Sequence, residues 1–133
     1  SEVSTVTYTL NTQKAFQILL VEDDPVLRMT TEMMLENLGY EQVAQAHSGE
    51  DAVAWARDHR PDLILMDIYL PGRIDGIEAA EQIRRFSNVP IVFTTGDTTA
   101  NVQAQLNGMT NAQVARKPVR PHQLKDILDA VDS

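Results

Sequence analysis

Five short runs rich in Val, Ile and Leu alternate along the chain with five segments of helical character, and no other feature constrains the fold as strongly. The runs cover residues 17–21, 42–46, 62–66, 90–94 and 112–116. The first, third and fourth are almost continuously apolar, as is usual for parallel strands covered on both faces. Five consecutive strand–helix units predict an α/β fold, in which a parallel sheet with right-handed crossovers carries helices on both faces.

Capping signals mark several boundaries of the helical segments. Asp24 before Pro25 predicts the start of the first helix, because a carboxylate accepts hydrogen bonds from free backbone N–H groups and proline suits the first helical position. Ser48 followed by Asp51 resembles a capping box. Segment 98–108 is expected to form the weakest helix, since it has little apolar surface to bury. The clearest amphipathic stripe lies in the last helix and consists of Leu124, Ile127, Leu128 and Val131.

The composition restricts the class of protein. A chain of 133 residues with 43% hydrophobic residues suffices for one globular domain. The chain has no cysteine, which excludes disulfides and thiolate metal sites within it and fits a cytoplasmic protein. A net charge of −8 disfavours direct nucleic-acid binding. No apolar run approaches the ~20 residues of a membrane span and no signal-peptide pattern is seen, so we expect no membrane contact by this domain.

Charged and hydroxyl residues stand at the ends of four of the predicted strands. Because the carboxyl ends of parallel strands meet at one edge of a sheet, we expect these side chains to lie close together. They are Glu22, Asp23 and Asp24 at the end of the first strand, Asp67 at the third, Thr94 and Thr95 at the fourth, and Lys117 at the fifth.

Crowded carboxylates repel one another unless a cation lies among them. Oxygen ligands without nitrogen or sulfur partners suit Mg²⁺. A carboxylate beside Mg²⁺ can attack phosphorus and form an aspartyl phosphate, and the metal, a lysine and a hydroxyl then share the charge of the phosphoryl oxygens. Taken singly, these residues have simpler interpretations, with Asp24 as a helix cap and Glu22 and Asp23 as a solvated loop. Their combination at four strand ends favours a site.

Four sequence motifs together resemble the receiver domain of two-component response regulators. They are "ILLVEDDPVLR", "PDLILMDIYLPG" followed by "DG", "PIVFTTG" and "KP", and the resemblance covers about residues 17–132. It implies a flavodoxin-like (βα)5 fold, a three-layer sandwich whose parallel five-stranded sheet has the order 2-1-3-4-5.

The resemblance also implies a ligand set for Mg²⁺. Asp23 and the acceptor Asp67 would bind the ion directly, Glu22 would act mainly through a metal-bound water, and the backbone carbonyl of Tyr69 would be a further ligand. No residue outside this set is implied as a metal ligand.

The same resemblance assigns the phosphoryl chemistry. Asp67 would be the phosphoacceptor, Thr95 would hydrogen-bond a phosphoryl oxygen, and Lys117 would pair with the phosphate. Thr95 is preferred to Thr94 because the family's hydroxyl residue precedes a small one, here Gly96. Pro118 is expected to follow a cis peptide bond.

The implied function is that of a signalling switch in a phosphorelay. The domain would take a phosphoryl group from the phosphohistidine of a histidine kinase or a histidine phosphotransfer protein, then change conformation and signal to a partner. It would not be an output enzyme, since its only reactions would be self-catalysed phosphotransfer and autodephosphorylation. Whether it forms a homodimer is left open.

Three departures from the family pattern make this chain individual. The loop between Pro71 and Asp75 is one residue longer than the commonest spacing. Val114 stands three residues before the lysine, where many receivers carry an aromatic switch residue, so a signal would have to use segment 98–108 instead. Tyr69 and Asp97 occupy positions that influence loss of the phosphoryl group, and a bulky Tyr69 is expected to prolong the phosphorylated state.

Two other classes of protein compete with a switch. One is a phosphatase or phosphotransferase with an aspartate nucleophile. Haloacid-dehalogenase-like enzymes place a second aspartate two residues after the first, and Tyr69 at that position counts against them. The other is a pseudo-receiver that binds partners without phosphorylation. The intact acidic, hydroxyl and lysine set counts against it, and Val114 is its best support.

Residues 1–16 precede the receiver domain, which is assigned to residues 17–133. Within this N-terminal segment "TVTYTL" alternates between threonine and apolar residues, a pattern typical of a strand. The receiver fold has no place for a strand there. The segment is interpreted either as a tag or linker, which is slightly favoured, or as the last strand of a preceding domain such as the ATP-binding domain of a hybrid histidine kinase.

Overall fold

The computed structural model describes residues 15–96 and 100–133, and in these ranges strands and helices alternate as predicted. Each predicted strand is present within one residue of its predicted limits. The strands are β1 (Ile18–Val21), β2 (Val43–Ala46), β3 (Leu63–Asp67), β4 (Ile91–Thr95) and β5 (Ala112–Arg116). The helices are α1 (Pro25–Asn37), α2 (Gly49–His59), α3 (Gly76–Arg84), α4 (Ala100–Leu106) and α5 (Pro121–Val131).

The five strands form one parallel sheet in the order β2-β1-β3-β4-β5, which confirms the predicted topology. Val21 pairs with Met66, and Asp67 pairs with Thr94. This register brings the carboxyl ends of β1, β3 and β4 to the same level of one edge. The polar residues that follow these strands are therefore neighbours in space.

Alternate residues of the inner strands enter two separate cores, because successive side chains of a strand point to opposite faces. One core lies under α2, α3 and α4 and includes Leu19, Val21, Ile64, Met66, Ala52, Ala56, Ile77, Ala80, Ile83, Phe93 and Val102. The other lies under α1 and α5 and includes Ile18, Leu20, Leu35, Leu63, Leu65, Val92, Leu124 and Leu128. Burial on both faces fixes the strands and so fixes the residues at their ends.

Side-chain caps begin three of the helices. Asp24 Oδ1 accepts hydrogen bonds from the N–H groups of Val26 and Leu27, which confirms its predicted role. Ser48 Oγ accepts from the N–H of Asp51, which is one half of the predicted capping box. A complete capping box at α3 was missed by the sequence analysis and is made by Asp75 and Glu78.

The amino edge of the sheet, opposite the candidate site, joins the first and last parts of the described chain. The rings of Phe16 and Tyr40 pack edge to face with their centroids 5.5 Å apart. The hydroxyl of Tyr40 donates to Asp132 Oδ2 at 3.1 Å, directly after α5. The alternating segment "TVTYTL" and the rest of residues 1–14 lie outside the described residues. None of the helices in the described ranges has both the length and the apolar character of a membrane span.

Gly76 begins α3 and presses against the end of β3. Its N–H donates to the carbonyl of Ile68 at 2.7 Å. A Cβ atom at residue 76 would lie 2.1 Å from the carbonyl oxygen of Asp67. The neighbouring atoms belong to the backbone and cannot rotate away, so the close return of the chain to Asp67 requires glycine at this position.

We expect Gly76→Ala to destabilise the fold by roughly 1–3 kcal/mol or more, as overpacking does in a tight core. Gly96→Ala is the control, because a Cβ atom at residue 96 meets nothing within 4 Å. Its effect should stay within about 0.5 kcal/mol. Denaturant unfolding of both variants measures the difference. Equal stabilities would show that the contact at Gly76 is not a constraint.

Candidate functional site

Asp67 ends β3 and is only 8% exposed. Both of its carboxylate oxygens accept hydrogen bonds. Oδ1 accepts from the N–H of Tyr69 at 3.1 Å, and Oδ2 accepts from Lys117 Nζ at 3.0 Å. A buried carboxylate is costly unless it is paired and hydrogen-bonded, and these two contacts meet that need.

Lys117 follows β5 and reaches across the carboxyl edge of the sheet. Its Nζ atom donates to Glu22 Oε1 at 2.8 Å as well as to Asp67. Its backbone N–H donates to the carbonyl of Thr95 at 2.8 Å. The Lys117–Pro118 peptide bond is cis, as expected. The side chain therefore joins the ends of β1, β3 and β5, and we call the contact of Lys117 with Glu22 and Asp67 the lysine clasp.

The pKa of Lys117 is raised above its ordinary value of 10.5. Burial is the largest single influence and by itself lowers the pKa, but the hydrogen bonds and charges of Glu22 and Asp67 together outweigh it. Because the folded-state pKa is the higher one, the stability that the clasp provides is complete below the ordinary pKa. It is lost as the pH rises through the folded-state pKa.

The acidic loop after β1 is held by hydrogen bonds between side chains and its backbone groups. Glu22 Oε2 accepts from the N–H of Asp24 at 3.2 Å. The guanidinium of Arg28, on α1, donates to the carbonyls of Glu22 at 2.9 Å and Asp23 at 3.2 Å. Arg28 was missed by the sequence analysis, because its partners are backbone carbonyl groups and no pattern of residue types predicts such contacts. The side chain of Asp23 is exposed at the rim.

The two threonines at the end of β4 face different sides of the sheet. Thr95 is almost fully buried, at 1% exposure. Thr94 lines a cavity of about 80 Å³ under α1 and α5, together with Glu22, Lys117 and Leu27. Asp97 lies outside the described residues.

The predicted metal ligands are only partly assembled. Glu22 and Asp67 both contact Lys117. Asp23 is held by its backbone carbonyl, which accepts from Arg28, and its side chain is exposed. Within residues 15–96 and 100–133, no three acidic or histidine side chains are spaced to hold a metal ion. The donors available at this rim are carboxylate and carbonyl oxygens, which is the chemistry that Mg²⁺ prefers.

The loop from Ile68 to Asp75 returns to Asp67 and is held from outside by Glu50. Tyr69 is 58% exposed, and its backbone N–H is the donor to Asp67 Oδ1. Glu50 Oε1 accepts from the N–H groups of Arg73 and Ile74 at 3.0 and 2.9 Å. The sequence analysis did not identify Glu50, because nothing in a sequence shows which distant N–H groups lack partners.

Large apolar side chains are exposed on α1, where Val26, Met29 and Met33 share one face by their spacing of three and four residues. Among the described residues, the exposed large hydrophobic side chains are Val26, Leu27, Met29 and Met33 on this helix, and Tyr69 in the loop after β3. Val114 is half-buried and packs against the core under α2, α3 and α4. It offers no ring that could rotate between two positions.

An acidic and lysine cluster at the carboxyl edge of a parallel 2-1-3-4-5 sheet defines a class, the receiver domains of two-component signalling. The family model for the response regulator receiver domain matches residues 18–129. The chain belongs to this family.

Relatives and solved structures agree with this assignment. The transcriptional regulatory protein PdtaR of Mycobacterium tuberculosis is 34% identical over 116 residues, which is 87% of this chain and 55% of PdtaR. The crystal structure of the receiver domain of sensor histidine kinase PA1611 from Pseudomonas aeruginosa has a magnesium ion coordinated in its active site cleft. It is 35% identical, with a TM-score of 0.79 over 90% of this chain and 100% of that chain.

The chemotaxis protein CheY4 of Vibrio cholerae has the same fold, with 27% identity and a TM-score of 0.77 over 89% of this chain and 99% of that chain. The transcriptional regulatory protein AfsQ1 of Streptomyces coelicolor is 46% identical over 78 residues, or 59% of this chain. The chain spans 34% of AfsQ1 and 55% of PdtaR, so it matches only a part of each of these regulators.

We expect Asp67→Asn to lower the pKa of Lys117. The substitution removes one of the two carboxylate charges that raise this pKa, while burial still opposes the charged ammonium. The ¹³Cε chemical shift of Lys117, followed through the alkaline range, measures the change. Asp62→Asn, immediately before the other end of β3, is the control and should leave the pKa unchanged. An unchanged pKa in Asp67→Asn would contradict the clasp.

Proposed function

We propose that Asp67 is the phosphoacceptor of this receiver domain and takes a phosphoryl group from a phosphohistidine. The observation that carries the proposal is the placement of the Asp67 carboxylate. It lies at the end of a buried strand, next to a lysine and at a rim that a partner can reach. Family membership supports this assignment, since receiver domains act in two-component phosphorelays.

In the proposed transfer, one Asp67 oxygen attacks phosphorus while the bond from phosphorus to the histidine nitrogen breaks. The electron pair of that bond stays on the imidazole, and the product is an aspartyl phosphate. Attack of water on phosphorus later restores the carboxylate and releases inorganic phosphate. The domain needs no further catalytic group for output, so its role is that of a switch rather than an enzyme acting on other substrates.

Lys117 and Thr95 are proposed to receive the phosphoryl oxygens. Lys117 Nζ already lies 3.0 Å from Asp67 Oδ2, so the ammonium is in place to pair with the new negative charges. The buried Thr95 is the last residue of the adjacent strand β4, and its hydroxyl would donate to another phosphoryl oxygen. Burial strengthens both interactions, because the protein interior screens charge less than water does.

Mg²⁺ is proposed as the cofactor, because the residues at the rim fit it by donor chemistry. Asp23, Asp67 and the carbonyl of Tyr69 would hold the ion, and Glu22 would act mainly through a metal-bound water. Ligation requires the Asp23 carboxylate to approach Asp67. When bound, the ion would neutralise charge on the phosphoryl oxygens during transfer. The net negative charge of the three carboxylates and Lys117 favours such a cation.

The proposed partner is a histidine kinase or a histidine phosphotransfer protein. Such a donor must bring its imidazole to the rim around Asp67. The exposed apolar face of α1 begins beside this rim, since Val26 lies in the first turn and its N–H donates to Asp24, directly after Glu22 and Asp23. We therefore propose this face of α1 as part of the contact with the donor. We also propose that the domain works in the cytoplasm and binds neither nucleic acid nor membrane directly.

The proposal predicts Mg²⁺-dependent phosphorylation of Asp67 by acetyl phosphate. Intact-protein mass spectrometry should show one added phosphoryl group in the wild type, lost after chelation of the metal. Asp67→Asn should show none, because an amide is not a nucleophile toward phosphorus. Asp62→Asn removes an acidic charge next to the opposite end of the same strand and should be labelled normally. Labelling of Asp67→Asn equal to wild type would refute the proposal.

Tyr69→Ala is expected to shorten the life of the phosphorylated state. A bulky side chain two residues after Asp67 is expected to obstruct the approach of water, so its removal should speed decay by about tenfold, equivalent to ~1.4 kcal/mol of barrier. Decay of the acyl phosphate after removal of the donor measures this rate. Tyr69→Phe keeps the ring and should decay as the wild type does. Equal rates for Tyr69→Ala and wild type would exclude shielding by the ring.

A further inference from the structure

Glu50 lies outside the residues that the proposed chemistry uses, yet it holds the loop that carries Tyr69. It is the second residue of α2, and its carboxylate is reached by two consecutive backbone N–H groups of the loop. Oε1 accepts from Arg73 at 3.0 Å and from Ile74 at 2.9 Å. A carboxylate that binds two N–H groups forms stronger hydrogen bonds than a neutral acceptor does.

The loop is fitted closely to this carboxylate. Gly72 has a φ angle of 99°, which favours glycine, and a Cβ atom at residue 72 would lie 2.6 Å from Glu50 Oε2. From the side of the helix, a Cβ atom at residue 49 would lie 2.8 Å from Cγ1 of Ile74. Glycine at both positions lets the loop and the start of α2 approach closely. The contact with Glu50 therefore depends on a residue without a side chain in each of the two segments.

Both ends of the same loop are attached to the acceptor strand. At one end the N–H of Tyr69 donates to Asp67 Oδ1 at 3.1 Å. At the other end the N–H of Gly76 donates to the carbonyl of Ile68 at 2.7 Å. The span between these ends is the loop that is one residue longer than the commonest family spacing, and Glu50, from α2, binds two backbone N–H groups within it. We therefore expect a displacement of residues 73 and 74 to change the position of the Tyr69 backbone.

We propose that Glu50 is a positioning residue of the acceptor site. By fixing the N–H groups of Arg73 and Ile74, it holds the loop in the conformation in which the N–H of Tyr69 meets Asp67, and in which the Tyr69 carbonyl would be available to a divalent cation. This inference rests on the proposed function, because it assigns Glu50 a role in presenting the Tyr69 carbonyl to Mg²⁺. Glu50 itself touches neither Asp67 nor the proposed ligands.

Two NMR measurements on the full chain test this role without using phosphotransfer. Amide hydrogen exchange reports the bonds of Arg73 and Ile74. Titration with Mg²⁺, followed through the amide shift of Tyr69, gives the affinity for the metal. In Glu50→Ala we expect faster exchange at both amides and an affinity weaker by roughly tenfold, the lower end of the effect of residues behind metal ligands. Glu50→Gln keeps an oxygen acceptor and should restore part of both effects.

Asp51→Ala is the matched control. Asp51 is the next residue in the same helical turn, is exposed like Glu50, and carries the same charge. In the described part of the chain its carboxylate accepts no loop N–H group. The control therefore removes an equal charge near the site without releasing the loop, and we expect wild-type exchange at Arg73 and Ile74 with little change in Mg²⁺ affinity.

Several outcomes would overturn the role of Glu50. Unchanged exchange at Arg73 and Ile74 in Glu50→Ala would show that the contact is not formed in solution. An equal loss of affinity in Glu50→Ala and Asp51→Ala would show an effect of charge alone. A wild-type protein with no Mg²⁺-dependent shift at Tyr69 would also overturn it. Failure of the proposed function is distinguishable, because Asp67 would then remain unlabelled while the exchange and Mg²⁺ measurements still separate the two variants.

Discussion

The ammonium group of Lys117 between two buried carboxylates is the interaction on which the rest of the site depends. Glu22 and Asp67 would repel one another at the edge of an apolar core, and each would be costly to bury without a positive partner. One side chain from the end of β5 meets both needs at distances of 2.8 and 3.0 Å. It thereby joins the ends of three strands through charge, in addition to the backbone ladder that joins the strands themselves.

This clasp works because its members are delivered by rigid elements. The inner strands are buried on both faces, so neither a shift of register nor a rotation can move Asp67 without disturbing two cores. In the loop that follows, Ile68, Leu70 and Ile74 pack against the core, and hydrogen bonds to backbone groups fix the rest of its path. Gly76 closes the loop against β3, and Glu50 holds its middle. Apolar burial of the strands thus positions Asp67, and hydrogen bonds help to position the loop beside it.

Local and periodic features could be predicted from the sequence, and long-range polar contacts could not. The apolar runs were sufficient for the five strands, Asp24 for the start of α1, and the family motifs for the strand order and for the cis bond before Pro118. Glu50 was missed because its partners lie more than twenty residues away and are backbone groups. The partners of Arg28 lie only five and six residues away, but Arg28 was missed because they too are backbone groups. The proposed metal ligands are a different case, since the sequence names suitable oxygen donors but does not dictate how closely their side chains approach one another.

The contact of Tyr40 with Phe16 and Asp132 bears on how such a domain can be carried by a larger protein. It brings the first and last parts of the described chain together at the amino edge of the sheet, and the acceptor rim lies at the opposite edge. Additional polypeptide joined on either side would therefore enter and leave at one pole. Such polypeptide would start at the pole away from Asp67, so its attachment does not require it to cross the acceptor rim.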